Sequence, residues 1–305
     1  MSFAITILGS SGALPQHGRY TSAQWLEIEG THMLIDCGEA AQMQIKRYDL
    51  SLSKIDYIFI SHLHGDHYLG LPGVLFTLHL LKRTKPLHIF GLQGLDEIIT
   101  IQLKYSKSHL NYPLFFHTLN PEKTTDLILD EDKFTVTSFP LNHKIPTCGF
   151  LFKEKIKPYR IDKDKLNKEV SLQAIAQFRQ GNDFMLEGGK ILAYQDYTLP
   201  PKRSRNYAYC SDTAYHLPIV ETIKEVDLLY HEATFINEDL DKAIETKHST
   251  ALQAAEIAKK ANVKKLLLGH FSARYKDLQV IEAEAKTIYP HSALAIDGET
   301  FTIEE

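Results

Sequence analysis

The sequence predicts an α/β fold in which short apolar strands alternate with helices and end on residues suited to metal binding or proton transfer. Three observations predict it. Runs rich in β-branched and aromatic residues recur along the chain and are bounded by Gly, Ser or Asp. Several of these runs stop just before a histidine or an aspartate. Between them lie stretches with apolar residues at helical spacing.

Taken in order, Phe3 to Leu8 reads as a strand that Gly9-Ser10-Ser11-Gly12 interrupts. Ser22 to Glu29 alternates in polarity, and His32 to Ile35 is a further short strand before Asp36-Cys37-Gly38. Glu39 to Tyr48 carries helix formers. Tyr57 to Ile60 is a strand, and Tyr68 to Lys82 has Leu and Phe at helical spacing with Pro72 early in it. Phe134 to Phe139 leads to His143, Tyr207 to Cys210 to Asp212, Val226 to Tyr230 to His231-Glu232, and Lys264 to Leu268 to His270. Strand ends of this kind are where ligand sites gather in sheets with helical layers. His248 to Ala261 reads as an amphipathic helix capped at Ser249 or Thr250, and Val170 to Gln180 as a short helix.

The chemistry is densest in Ser61-His62-Leu63-His64-Gly65-Asp66-His67. Neutral imidazole and carboxylate suit zinc. His62 and His64, two apart, point the same way from an extended chain, whereas the adjacent Asp66 and His67 diverge. The pattern therefore seeds a two-metal site. Two zinc ions about 3.5 Å apart need roughly seven protein ligands when a carboxylate bridges them. The loop supplies four, and the strand-end residues His143, Asp212 and His270 complete the set. His62, His64 and His143 are assigned to one ion, Asp66, His67 and His270 to the other, and Asp212 to both, because a carboxylate can bridge. Such a site holds a water as hydroxide near neutral pH, with Asp66 placed to orient it or take its proton. Hydrolysis of an ester or phosphodiester is the expected reaction.

Bulk properties bound the setting. The chain has 305 residues, 44% apolar and 24% charged, with a formal net charge of -4, so no global basic field marks a nucleic-acid partner. Cys37, Cys148 and Cys210 are odd in number and widely spaced, which points to free thiols in a reducing compartment. The N-terminal apolar run is too short for a signal peptide, and no stretch approaches a membrane span. A cytoplasmic protein with no membrane partner is expected. One region stands apart: Lys153 to Lys168 holds seven basic and three acidic residues, a local charge of +4. The chain therefore reads as a single domain, 1–305, with an inserted basic arm at about 151–190.

The histidine loop resembles the signature of the metallo-β-lactamase superfamily, and the wider set resembles its ribonuclease Z branch, short form, nearly end to end. The matching elements are Leu8 to Pro15, Ser61 to His67, Ser211-Asp212-Thr213, His231-Glu232-Ala233-Thr234, His248-Ser249-Thr250 and Gly269 to Tyr275. This resemblance implies an αββα sandwich, two zinc ions per subunit with manganese as the alternative, and a homodimer. It implies an endoribonuclease that attacks precursor tRNA with a metal hydroxide just after the discriminator base and leaves a 3′-hydroxyl on the tRNA. In similar enzymes the histidine of H-S-T protonates the departing oxygen, which maps here to His248 with Glu232 as its partner. General acid catalysis of this kind contributes about 10²–10⁴-fold. Arg274 would contact phosphate. The arm would grip tRNA through Lys153, Lys155, Lys157 and Arg160, and a basic loop through Lys202, Arg203 and Arg205. Ser171 to Phe184 lacks the Gly-Pro-rich tip that such arms often carry. The rival reading is a small-molecule phosphodiesterase or arylsulfatase-like hydrolase of the same fold, which shares the zinc site but needs no arm. A non-catalytic binding protein would not need an open, shared metal position.

Overall fold

The computed structural model describes residues 2–305. Its first sheet is built from β1 (Phe3–Gly9), β2 (Ala23–Ile28), β3 (Thr31–Cys37), α1 (Ala41–Arg47), β4 (Ile55–Phe59), α2 (Gly65–Tyr68), α3 (Leu71–Leu80), β5 (Leu87–Gly91), α4 (Leu95–Tyr105) and β6 (Leu114–Thr118). The second begins with β7 (Asp126–Asp130), β8 (Phe134–Pro140) and β9 (Cys148–Glu154). The arm follows, with β10 (Arg160–Ile161), α5 (Leu172–Arg179), β11 (Phe184–Met185), β12 (Ile191–Leu192) and β13 (Thr198–Leu199). The chain then returns through β14 (Asn206–Cys210), β15 (Leu228–Glu232), α6 (Leu240–Thr246), α7 (Ala251–Lys260), β16 (Lys265–Gly269), α8 (Gln279–Ile288), β17 (Ser292–Leu294) and β18 (Thr300–Thr302).

Strand order is β18-β1-β2-β3-β4-β5-β6 in one sheet and β17-β16-β15-β14-β9-β8-β7 in the other. The period-2 pattern explains the stacking. In β4, Phe59 faces the second sheet while Ile58 faces the helices; in β15, Leu228 and Tyr230 face inward and Leu229 outward. The inner layer is aromatic, with Phe59, Phe90, Phe150, Phe152, Tyr207 and Tyr230 all buried. Truncating one such Phe costs about 3–5 kcal/mol. Helices α1, α3 and α4 cover one outer face, and α7 and α8 the other. The result is the expected αββα sandwich. Among the described residues no helix is long and apolar enough to cross a membrane, and all three cysteines are buried free thiols.

Several boundaries differ from the sequence reading for physical reasons. The helix expected over Tyr68 to Lys82 is two helices, α2 and α3, that break near Gly70. There the Gly70 N–H donates to Cys37 O (2.9 Å), and a Cβ would lie 2.1 Å from Gly38 O. The close approach holds the histidine loop against the end of β3. Thr250, rather than Ser249, caps α7, through a capping box with Gln253. His248 therefore lies outside the helix.

The arm runs from 155 to 205, not from about 151 to 190. Leu151 to Glu154 pair within the sheet as the end of β9, and the chain beyond 190 still belongs to the arm. Its two small two-stranded sheets, β10–β13 and the hairpin β11–β12, flank a separate core of Ala174, Phe178 and Leu192, with Phe178 stacked on Tyr197. A glycine tip does exist, at Gly188-Gly189 with φ of 98° and 85°. It lies beyond the stretch in which none was found.

Arg205 closes the arm's root. It is 2% exposed and bonds Glu154 through Nη2 (2.6 Å), Nε (3.0 Å) and its backbone N–H (2.8 Å), with Nη1 on Ile303 O (3.0 Å). The expectation that it binds tRNA is therefore corrected: a buried guanidinium held by a carboxylate serves the fold. Burial pushes the Glu154 carboxyl up, but hydrogen bonds from Arg205 and Lys157 outweigh it and hold the group at about 2. Because the folded value lies below the ordinary 4.5, this stability is complete above about pH 4.5 and is lost as pH falls towards 2. Urea midpoints at pH 6 and pH 3 should show the loss, and Glu154→Gln should lower stability at pH 6 while flattening the acid slope. An unchanged slope in that variant would remove the clasp as its source.

Candidate metal centre and acid–base pair

The site lies where strands from both sheets end. β4 delivers the histidine loop, β8 His143, β14 Asp212, β15 Glu232 and β16 His270. The seven predicted ligands come together: His62, His64, His143 and Asp212 form one group that could hold a metal ion and Asp66, His67 and His270 another, with Asp212 also within reach of the second group's imidazoles.

In the first group His64 Nδ1 lies 3.1 Å from His62 Nε2 and 3.2 Å from His143 Nε2, and Asp212 Oδ2 lies 3.6 and 3.7 Å from the latter two. In the second, His67 Nε2, His270 Nε2 and Asp66 Oδ2 stand 3.3–3.4 Å apart, with Asp212 Oδ1 3.3 and 3.2 Å from the two imidazoles. A tetrahedron with bonds of about 2.0–2.1 Å has edges of about 3.3 Å. The donor spacings match it.

The outer ring nitrogens strengthen the fit. His143 Nδ1 faces Lys247 O (2.9 Å), His67 Nδ1 faces Asp36 Oδ2 (2.7 Å) and His270 Nδ1 faces the Thr234 hydroxyl (2.9 Å). A nitrogen on a carbonyl oxygen carries the proton, so the inner nitrogen of His143 presents a lone pair. Converging lone pairs and carboxylate oxygens repel one another unless a cation sits between them. Burial, reinforced by the neighbouring imidazoles, holds His62 well below its ordinary value and neutral; burial likewise lowers His143. Burial opposes a charge on His67, but Asp212, Asp66 and Asp36 outweigh it and raise its pKa, so an entering metal ion displaces a proton there.

Asp36 was missed by sequence reasoning. Fully buried at the end of β3, it accepts from Ser61 N (2.7 Å), Ser61 Oγ (2.9 Å) and Tyr209 Oη (2.7 Å) while holding His67. Its signal was present, since it too is an acid at a strand end. Orienting partners of this kind are worth about 10–100-fold in metal affinity. The loops are tight: Asp36, His270 and Ala13 all have φ of 53–59°, which non-glycine residues seldom adopt. Gly12 leaves room for His270, since a Cβ there would lie 2.7 Å from the ring.

Beside this centre, His248 Nδ1 lies 2.8 Å from Glu232 Oε1. Glu232 is fully buried and fixed, accepting from Thr213 N (2.9 Å), Thr234 N (3.0 Å) and Thr234 Oγ1 (2.7 Å). Burial works against a charge on His248, but Glu232 and then Asp212 outweigh it and lift the imidazole to about 9. His248 Nε2 is 3.9 Å from Asp212 Oδ2. That exceeds the donor spacings of the two groups, which suits a proton donor better than a ligand. Of the donors, His64, Asp66, Asp212 and His270, together with His248, open onto a cleft of about 570 Å³ that Phe235, Ser272 and Ala273 also line, while His62, His67 and His143 lie behind them.

The predicted RNA contacts are placed differently. Arg274 is not among the residues lining this cleft and spends its guanidinium on Asp239 (3.0 Å) and the Phe235 ring (5.1 Å). Lys155, Lys157, Arg160 and Lys202 line a separate cleft of about 670 Å³ at the arm's root. Lys155 pairs with Asp130 (2.5 Å), and Lys157 with Glu154 (3.1 Å) and Glu305 (3.2 Å). Lys202 pairs with Glu305, Arg203 with Asp227 (2.5 Å), and Arg160 Nε donates to Pro200 O (2.9 Å). Lys153, Lys163, Lys165, Lys168 and Arg179 are exposed and make no ion pair among the described residues. Lys163 and Arg179 line the same cleft, so the free positive charge lies partly there and partly further along the arm at Lys165 and Lys168.

This fold, with two His/Asp groups sharing one carboxylate, defines a metallo-β-lactamase-fold hydrolase. A metallo-β-lactamase fold protein, YhfI from Bacillus subtilis, superposes with a TM-score of 0.70 at 19% identity, covering 99% of this chain and 100% of that one. A family model described as anti-Pycsar protein Apyc1 matches residues 3–180. Ribonuclease Z of Cytophaga hutchinsonii is 49% identical over 306 residues, covering 100% of this chain and 97% of that protein. Human tRNase Z, short form, has a TM-score of 0.73 at 28% identity, covering 99% and 100%. The chain belongs to the family that the Apyc1 model describes and, by full-length identity, to ribonuclease Z. It is accordingly an endoribonuclease, a hydrolase of phosphodiester bonds.

Proposed function

We propose that this protein removes the 3′ trailer from precursor tRNA and leaves a 3′-hydroxyl, with two zinc ions held by His62, His64, His143, Asp66, His67, His270 and the shared Asp212. The observation that carries this reading is the His248–Glu232 pair beside the shared carboxylate, in a chain similar along its full length to ribonuclease Z. Bound by these residues, two zinc ions supply Lewis acidity that lowers the pKa of a water and offsets charge on the phosphodiester. Asp66, whose Oδ2 accepts from Ala13 N (2.7 Å), orients the attacking water and takes its proton. His248 gives its proton to the departing O3′, because an alkoxide leaves poorly without an acid. Glu232 holds that proton ready on the ring and fixes the ring's direction.

Precursor tRNA incubated with the metal-loaded protein should be cut once, with both product ends mapped to the position after the discriminator base. Metal analysis of the same preparation should give two zinc ions per chain. Turnover of small diesters alone would move the reading to the small-molecule phosphodiesterase.

The arm, 155–205, is assigned to holding tRNA at a distance from the cut. Its unpaired charges Lys163, Lys165, Lys168 and Arg179 make the contacts, and the paired root residues contribute less. Replacing these four with Ala should weaken tRNA binding and reduce the slope of log affinity against log salt by roughly 0.7–0.9 per lost contact. Binding measured from 50 to 200 mM salt tests this, and an unchanged slope would count against the assignment.

We also infer a homodimer and a cytoplasmic location. Exposed Leu80, Leu81, Ile101 and Tyr105 on and beside α3 and α4 support the first, and three buried thiols the second. The dimer is tested by light scattering on the purified protein.

A further inference from the structure

One wall of the catalytic cleft has a composition that binding a phosphodiester does not explain. Leu14 and Leu69 line it and remain 58% and 48% exposed, large apolar side chains beside a centre of carboxylates and imidazoles. Glu39 lines the same cleft, is exposed, and has no hydrogen-bond or ion-pair partner for its carboxylate among the described residues. An unpaired carboxylate repels a polyanion, so its presence in a nuclease cleft calls for a neutral partner that donates hydrogen bonds.

The three residues cluster on the Asp66 side. Leu14 follows Ala13, whose N–H holds Asp66 Oδ2 at 2.7 Å. Leu69 lies three residues beyond Asp66, and a Cβ at Gly65 would meet its side chain at 2.8 Å. Glu39 follows Gly38, where a Cβ would lie 2.4 Å from Asp66 O. The acid His248 is bonded to none of the three; it stands by Asp212 Oδ2 and stacks on His270.

Reaction geometry then separates the two nucleosides. In an in-line displacement the water oxygen bonds to phosphorus as the P–O3′ bond breaks, and O3′ takes the His248 proton. The nucleoside that owns O3′ therefore lies on the His248 side. The apical position opposite O3′ belongs to the water, so the nucleoside joined through O5′, the first of the trailer, projects from an equatorial position, stays on the phosphate, and is free to reach the wall formed by Leu14, Leu69 and Glu39.

We propose that Leu14, Leu69 and Glu39 form the receptor for the first nucleobase of the trailer, the base packing on the two leucines and its exocyclic amine donating to the Glu39 carboxylate. This rests on the reading of the protein as a precursor-tRNA endonuclease. Adenine, cytosine and guanine carry such an amine. Uracil has only N3–H, flanked by two carbonyl oxygens that a carboxylate repels.

The test is kcat/KM for four precursor tRNAs that differ only in the first trailer nucleotide, with the wild-type protein and with Glu39→Gln. The wild type should disfavour uracil roughly tenfold, the usual size of one hydrogen-bonded base discrimination. Glu39→Gln should bring the four within about twofold, because its amide both accepts and donates. Leu14→Ala and Leu69→Ala should each raise KM for all four substrates while keeping their order. Equal wild-type rates on all four, or the same ratios in Glu39→Gln as in the wild type, would overturn the receptor. Failure of the wild type to cut any precursor would instead overturn the underlying reading of function.

Discussion

Asp212→Ala and Asp212→Asn are expected to lose metal and to cut precursor tRNA at least about 10³-fold more slowly, a barrier increase of about 4 kcal/mol. The two carboxylate oxygens of Asp212 face different groups, Oδ2 towards His62 and His143, Oδ1 towards His67 and His270, at 3.2–3.7 Å. Among the described residues no other carboxylate pairs with imidazoles of both groups. Removing it takes one donor from each group at once and deletes the negative charge between two dications, whose mutual repulsion the rest of the site does little to offset. The Asn variant separates charge from packing. It keeps the volume and can still accept through one oxygen, but it cannot bridge as an anion. Both variants should elute as folded protein, since Asp212 contributes charge to the site rather than apolar area to the core. Metal content after gel filtration, melting temperature and single-turnover cleavage together decide the matter. A variant that keeps two ions per chain and the wild-type rate would end the assignment of Asp212 as the bridge.

The centre was legible in the sequence because its chemistry is local. H-x-H-x-D-H fixes four donors within six residues, and the other three each end an apolar strand. Periodicity reports strands and helices, and the strand ends of this fold meet along one edge. His248 and Glu232 were legible only through resemblance, since nothing in their spacing says that Nδ1 and Oε1 will stand 2.8 Å apart. Partners made by tertiary pairing were hidden. Asp36 meets His67 only because β3 and β4 pair in parallel and α2 folds back at Gly70. Charge was the least legible property. Counting charges along Lys153 to Lys168 gave a basic patch, yet Lys155 and Lys157 are spent on Asp130, Glu154 and Glu305, and Arg205 is buried on Glu154. A count along the chain treats each cation as facing water. Whether it does depends on which strand lies beside it, and Glu29, Asp130 and Glu305 come from distant parts of the sequence.

His248→Ala is expected to keep its metal and lose about 10²–10⁴-fold in cleavage of precursor tRNA, the usual contribution of a general acid. Asp212, His248 and His270 lie close enough together to be read as a third metal group, so retention of metal is the discriminating measurement. The geometry favours an acid: one ring nitrogen is fixed on the buried Glu232, and the other stands 3.9 Å from Asp212. A leaving group that needs no proton should expose the role. With bis-p-nitrophenyl phosphate the departing phenolate is stable by itself, so the variant's loss on that substrate should be far smaller than on precursor tRNA. Glu232→Gln leaves the ring in place and removes the carboxylate that holds its proton, so it should lose the same selective part of the rate, more weakly. Equal losses on both substrates, or loss of zinc from His248→Ala, would make His248 a ligand or a structural residue and leave the departing oxygen without a named proton source.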